Sequence, residues 1–315
     1  MEARPKVRWG RVALFYGLAL GWVVLVAAGL YVLGQRDLSG AGPSLATVVL
    51  AVAYMPAPLV AALVVDRLDR RPALIRATLD RFWRRLPGLL LVTALAVAAL
   101  LAGMVGASWL AGNVLGLPGA GTVLLTHADL VANTLTLVPA MDAAQVAQLG
   151  AGIPSFGGLL GAAYLGALVA GFTINGVFAF GEEYGWRGWL ADELRPLGAF
   201  WANVITGVLW GLWHAPLILL GYNYGDYSRL GPFFMVAFCV PMSFLLWRAR
   251  EVTRSLVAPA VLHGAFNAFA GVFVVLLVDA NPLVSAPLGL IGAGTAAVVA
   301  ALLWLLRGKR AVPAG

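Results

Sequence analysis

Eight apolar runs, parted by polar and arginine-bearing breaks, dominate the chain: 12–33, 45–65, 88–111, 159–194, 199–220, 233–247, 256–278 and 287–306. About 20 apolar residues wound as a helix cross the ~30 Å of a hydrocarbon core, so each run reads as a spanning segment. Lipid offers no partner for an unpaired backbone amide, and a helix satisfies every such group internally. The first run is too long for the apolar core of a cleavable signal and lacks a small-residue cleavage site, so it reads as the first span. Pro196 and Gly198 supply a stop after the fourth run and turn the chain into the fifth. The pattern therefore predicts an all-α, polytopic integral membrane protein with about eight transmembrane helices. No repeat or second domain interrupts it, so residues 1–315 form a single membrane domain.

Composition agrees with that reading. With 61% hydrophobic and 11% charged residues and a mean hydropathy of +0.89, the chain has too little polar surface to cover a soluble globule. A net charge of +7 raises the question of a nucleic-acid partner. The basic residues are not gathered into one patch, however. With the N-terminus placed inside, 19 of the 21 fall in cytoplasmic segments, and only Arg36 and Arg229 lie outside. The long connection 112–155 holds no lysine or arginine. This is the asymmetry that orients multi-pass proteins, and it puts both termini in the cytoplasm of a protein of the cell (plasma) membrane. Lipid is the implied partner and nucleic acid is not. The linker Asp66–Arg85 is expected to form an amphipathic helix after Pro72, lying along anionic headgroups. Ala140–Leu149 could form a short helix in the outside loop. Cys239 is the single cysteine, so no disulfide forms within the chain, and it reads as a small buried or lipid-facing hydrophobe.

Ionisable groups inside a span cost roughly 2.5–3.5 kcal/mol on insertion scales, which singles out three clusters. In Gly181–Leu190, Glu183 and Arg187 are four apart and can pair on one helix face, while Glu182 points elsewhere. His214 lies fifteen residues into the fifth run. His263 and Asn267, four apart, share a face of the seventh. Taken singly, each has an ordinary structural explanation: a solvated helix end, a core histidine, a packing pair. His127 is given no role. Depth links the clusters. If the fourth helix continues to the turn at Pro196, Glu182 and His214 lie about 21 and 27 Å from it along neighbouring helices, and His263 is roughly 14 Å beyond Arg254, by the helical rise. The three could meet in one cavity opening to the cytoplasm.

A carboxylate, two imidazoles and a carboxamide suit peptide hydrolysis. Glu182 could take a proton from water, His214 could position that water, and His263 with Asn267 could donate to the developing oxyanion. Glu183 and Arg187 would brace the site. The set Glu182, His214 and His263 could instead hold a divalent metal such as zinc with an open position for water. No HExxH pattern is present. A serine or cysteine nucleophile is disfavoured, because neither stands beside a histidine in the sequence. A transporter lined by these charges is a further reading, although no paired halves with interrupted helices are visible. A scaffold or immunity protein that keeps the pocket without turnover is another.

Three motifs in order on successive spans carry a specific resemblance. Glu182-Glu183 with Arg187, Trp210 with His214, and His263 with Asn267 resemble the motifs of the CPBP family, the CAAX-protease and bacteriocin-processing (Abi) intramembrane proteases. The resemblance covers about residues 155–280. Trp210 stands where the family often has Phe. The resemblance implies an eight-helix bundle, an intramembrane endopeptidase acting on membrane-associated or lipid-anchored peptides, and a cavity on the cytosolic side. It also implies water activated by Glu182 and His214, and an oxyanion held by His263 and Asn267. The family is commonly described as metalloprotease, and its bacterial associations are peptide processing and self-immunity to bacteriocins. Substrate identity and oligomeric state do not follow from it.

Overall fold

The computed structural model describes residues 6–39, 48–72, 82–138 and 142–305. Its helices follow the apolar runs: Trp9–Val32, Leu50–Leu68, Phe82–Trp109, Phe156–Phe172, Ile174–Glu183, Gly198–Trp213, Gly231–Thr253, Val257–Ala270 and Leu290–Leu305. The protein is an all-α polytopic membrane protein. Length and composition alone do not confirm the count of eight among the described residues. Among the described residues five helices are long and apolar enough to cross a membrane, or six if Ala144–Gly152 and Phe156–Phe172, bent by 72°, form one broken span. The reason lies in the middle of the chain. The fourth run breaks at Thr173, where φ is −124° and ψ −119°, and its second part carries Glu182, Glu183 and Arg187. The helix of the fifth run stops at Trp213, because the chain turns at His214 into the short helix Ala215–Ile218. The last helix spans 16 described residues.

The loops hold more order than the apolar pattern announces. The short outside helix is Ala143–Gly152, shifted three residues from expectation by the capping box of Asp142 and Gln145. A second helix, His127–Thr136, precedes it, capped by Thr126. The strands Ala120–Val123 and Leu277–Ala280 pair antiparallel and tie the outside loop to the end of the seventh run. Each strand has only four residues, too few for an alternating pattern to stand out. The expected amphipathic stretch after Pro72 lies, over 73–81, outside the described residues.

Two chemically different ends result. At the arginine-rich end Arg8 binds Asp69 at 2.5 Å and Glu193 at 2.5 Å, Trp189 donates to Asp66 at 3.0 Å, and Arg250 pairs with Asp192 at 3.0 Å. The Arg8 guanidinium beside Asp69 holds its carboxyl below the usual carboxylate range. At the other end Leu38 N–H donates to the Leu220 carbonyl at 2.7 Å, and the Tyr224 hydroxyl donates to the Leu288 carbonyl at 3.2 Å.

Small residues bring the central helices together. A Cβ on Gly264 would lie 2.5 Å from the backbone nitrogen of Gly176, so Ile174–Glu183 and Val257–Ala270 touch main chain to main chain. Gly207 and Gly211 do the same for Gly198–Trp213 against Gly231–Thr253, where a Cβ would meet Val240 and Val236 Cα at 2.5 and 2.6 Å. Without a hydrophobic force between helices in lipid, such close approach is a main source of their cohesion.

Candidate active site

Glu182 and Glu183 close an α-helix whose next seven residues, Tyr184–Leu190, wind as a π-helix. Such widened turns concentrate at functional sites, because the ladder gives up regular bonding to re-aim side chains. Here the two neighbouring carboxylates part company. Glu182 is 3% exposed and lines a cavity of about 200 Å³, whereas Glu183 is wholly buried beneath it. Neither is the solvated helix end that the local sequence allows.

Glu183 gathers two partners. Its Oε1 accepts from Arg187 Nη1 at 3.0 Å, the expected pairing, and from His263 Nδ1 at 2.9 Å, which sequence spacing could not reveal. Arg187 is also buried, and its guanidinium carbon sits 4.1 Å from the Trp210 ring centre, over the negative face of the indole. The Trp210 indole N–H donates to Glu182 Oε2 at 2.8 Å. Its carbonyl is 2.8 Å from His214 Nδ1. A carbonyl only accepts, so His214 Nδ1 carries the hydrogen, which in the neutral ring leaves the lone pair on Nε2. His263 stands edge-on to Trp210 with ring centres 5.3 Å apart. Trp210 thus contacts Glu182, Arg187 and both histidines, although sequence reasoning treated it only as a motif variant. Its signal was there: an indole in place of a phenyl adds one donor.

Glu182, His214, His263 and Asn267 all line the one cavity. Asn267 is exposed toward it, one helical turn beyond His263. Tyr54 reaches in from the second run and donates to the Trp213 carbonyl at 2.9 Å, bracing the turn that carries His214. Cys239 also lines the cavity, 1% exposed, so the cysteine does share space with the histidines that its sequence position separates. Asn223 and Leu288 belong to the same lining.

Zinc ligation needs the carboxylate and two imidazoles to converge within bonding reach of one point. Among the described residues no group of three or more His, Cys, Asp or Glu side chains is disposed to hold a metal ion. The set Glu182, His214 and His263 does not fit that requirement in this structure. What the arrangement can do is hold one carboxylate oxygen, one unprotonated imidazole nitrogen and two further polar groups around a shared space.

Comparison with known proteins follows the same stretch. Residues 158–269 match the Rce1-like family, described as type II CAAX prenyl endopeptidase Rce1-like. That segment contains all seven side chains named above from the three motifs. A protein named CAAX prenyl protease 2 from Methanococcus maripaludis is 30% identical over 93 residues, which is 27% of this chain and 34% of that protein. The chain thus matches about a third of the length of that relative.

Proposed function

We propose, from the match of residues 158–269 to the Rce1-like family, that the protein is an intramembrane endopeptidase. The resemblance carried by the three motifs points to the same family. In this reading it hydrolyses peptide bonds of membrane-associated peptides at the cavity over Glu182. The observation that carries the proposal is the Trp210-held Glu182 facing the same space as His214, His263 and Asn267.

The chemistry uses these side chains alone. Trp210 occupies Glu182 Oε2, leaving Oε1 to accept a proton from water while His214 Nε2 accepts a hydrogen bond from the same molecule. The water oxygen forms a bond to the scissile carbonyl carbon, and the carbonyl electron pair moves onto oxygen. His263, as imidazolium held through Nδ1 by Glu183, donates from Nε2 to that oxyanion, and the Asn267 amide donates beside it. As the C–N bond breaks, Glu182 returns its proton to the departing nitrogen. Two carboxylates, one guanidinium and one imidazolium leave the buried cluster neutral, which offsets much of the desolvation cost of each charge.

The test is cleavage of an internally quenched membrane peptide by the full chain in detergent. Glu182→Gln and His214→Ala are each expected to lower kcat by about 10²–10⁴, the range for general acid–base groups. His263→Ala and Asn267→Ala should each lower it by about 10²–10³, the usual loss for one oxyanion donor. Activity is expected to persist under rigorous chelation. Undiminished cleavage by Glu182→Gln removes the assignment, and loss of cleavage on chelation that returning zinc restores replaces it with a metal mechanism.

A further inference from the structure

The π-helix Tyr184–Leu190 departs from the α-helical segments on either side of it, bonding five residues back instead of four. Contacts from other elements hold it there. A Cβ on Gly185 would lie 2.4 Å from Pro58 Cβ of the second run, and one on Gly188 would lie 3.2 Å from Leu256 Cδ1. Glycine thus lets apolar neighbours close on two sides. On a third side the contact is ionic, and it comes from Arg250.

Arg250 lies in the last turn of Gly231–Thr253, partly buried and outside all three motifs. Its Nη1 donates to the Arg187 carbonyl, and its Nη2 donates to both carboxylate oxygens of Asp192 at 3.0 Å. Arg187 and Asp192 are five residues apart, the interval that one π-turn bond spans. The rigid planar fork of one guanidinium therefore grips the widened ladder at both ends of a turn. Lysine carries the same charge as a single point on a flexible stem, without that fork.

The residue gripped from outside points inward. Among the described residues, Nη1 is the one guanidinium nitrogen of Arg187 with a hydrogen-bond partner, Glu183 Oε1 at 3.0 Å. The guanidinium also faces the Trp210 ring at 4.1 Å, an electrostatic attraction with no fixed bonding direction. The aim of this buried side chain thus depends on where its backbone is pinned. Glu183 Oε1 also accepts from His263 Nδ1, so a shift of Arg187 reaches the imidazole through one shared oxygen. Arg250 itself stands outside the cavity lining, so it touches no reacting atom.

Resting on the endopeptidase reading, we infer that Arg250 is a positioning residue of the active site. It keeps the π-turn in the register that aims Arg187 at Glu183, and through Glu183 it orients His263 toward the oxyanion. Arg248 provides the control. It sits two residues away on the same helix, and its ion pair, with Glu251 at 3.5 Å, stays within that helix.

Two readouts on the full chain in detergent test this. Arg250→Gln is expected to lower kcat for an internally quenched membrane peptide by about 100-fold, the loss that a misplacement of about 1 Å brings. KM should stay near the parent value, because the cavity wall is unchanged. Arg250→Lys keeps the charge facing Asp192 but loses the fork, and should retain at most about a tenth of the parent kcat. Arg248→Gln should leave both constants near the parent values. The second readout is magnetic resonance of isotope-labelled histidine, of which the chain has three. The His263 signal is assigned by its loss in His263→Ala. Arg250→Gln and Arg250→Lys should each shift it while the His127 signal stays in place, and Arg248→Gln should move neither. Full parent kcat in Arg250→Lys, a loss carried by KM instead of kcat, or an unmoved His263 signal overturns the inference. If Arg250→Gln does not fold, Arg250→Lys decides by the same two readouts. Absence of cleavage by the parent chain counts against the endopeptidase reading, while the histidine spectrum still decides whether Arg250 positions His263.

Discussion

Trp210 joins four functional groups through its indole N–H, its ring and its backbone carbonyl. The indole N–H holds Glu182, the ring face meets Arg187 at 4.1 Å, the ring stands steeply inclined to His263, and the carbonyl accepts from His214 Nδ1. A phenylalanine keeps the ring and the carbonyl but loses the donor. A hydrogen bond to a charged group is worth about 1.5–3 kcal/mol, so Trp210→Phe is expected to lower kcat by about 10–100-fold. The substitution leaves the cavity wall apolar, so KM should change little. Steady-state kinetics of the purified variant checks both numbers, and an unchanged kcat denies Trp210 a positioning role.

At the scale of elements, the contact between Ile174–Glu183 and Val257–Ala270 decides whether His263 reaches Glu183. Gly264 adjoins His263 in sequence and rests against Gly176. Gly264→Ala puts a methyl 2.5 Å from a backbone nitrogen, so the helices must move apart. Overpacking of this kind costs about 1–3 kcal/mol. The variant should unfold at lower temperature in detergent and lose most cleavage, because the Glu183–His263 bond opens with the helices. Gly294, with no atom within 4 Å of its added Cβ, provides the control, and Gly294→Ala should leave both measurements near the parent value. Equal behaviour of the two variants removes close packing at Gly264 as the determinant.

Across the whole molecule, the arginine-rich end is clasped by carboxylates that join the N-terminal segment, the second run and the end of the fourth. Asp69, hydrogen-bonded by Arg8, has its carboxyl held below the usual range. A carboxylate depressed in the folded state contributes stability that is fully present above its ordinary pKa and is lost as pH falls through the lowered one. Thermal stability in detergent should therefore decline on acidification through the carboxylate range. Asp69→Asn should flatten that decline and lower stability at neutral pH, and an identical pH profile in the two proteins would remove this clasp as the cause. Salt should weaken the same contribution, since these groups lie within reach of solvent ions.

The chain's apolar runs determined that it is a helical membrane protein, and, among the described residues, every helix of fourteen or more residues falls on or beside them. Backbone satisfaction in lipid is local to each helix, so composition and run length suffice for that conclusion. The arginine spacing likewise sorted the two ends, because that asymmetry is a property of loops in chain order. Glu182, Glu183, Arg187, His214, His263 and Asn267 were legible as charges and carboxamides out of place in lipid, and their spacing within each helix revealed the Glu183–Arg187 pair. Tertiary structure decided everything that depends on rotation about a helix axis. The π-turn after Glu183, the Thr173 break, the Glu183–His263 bond, Trp210 as the shared neighbour and the presence of Cys239 in the cavity all arise there. Periodicity measures position along an axis, whereas which faces meet is set by where glycines let backbones touch and where large rings must fit between them.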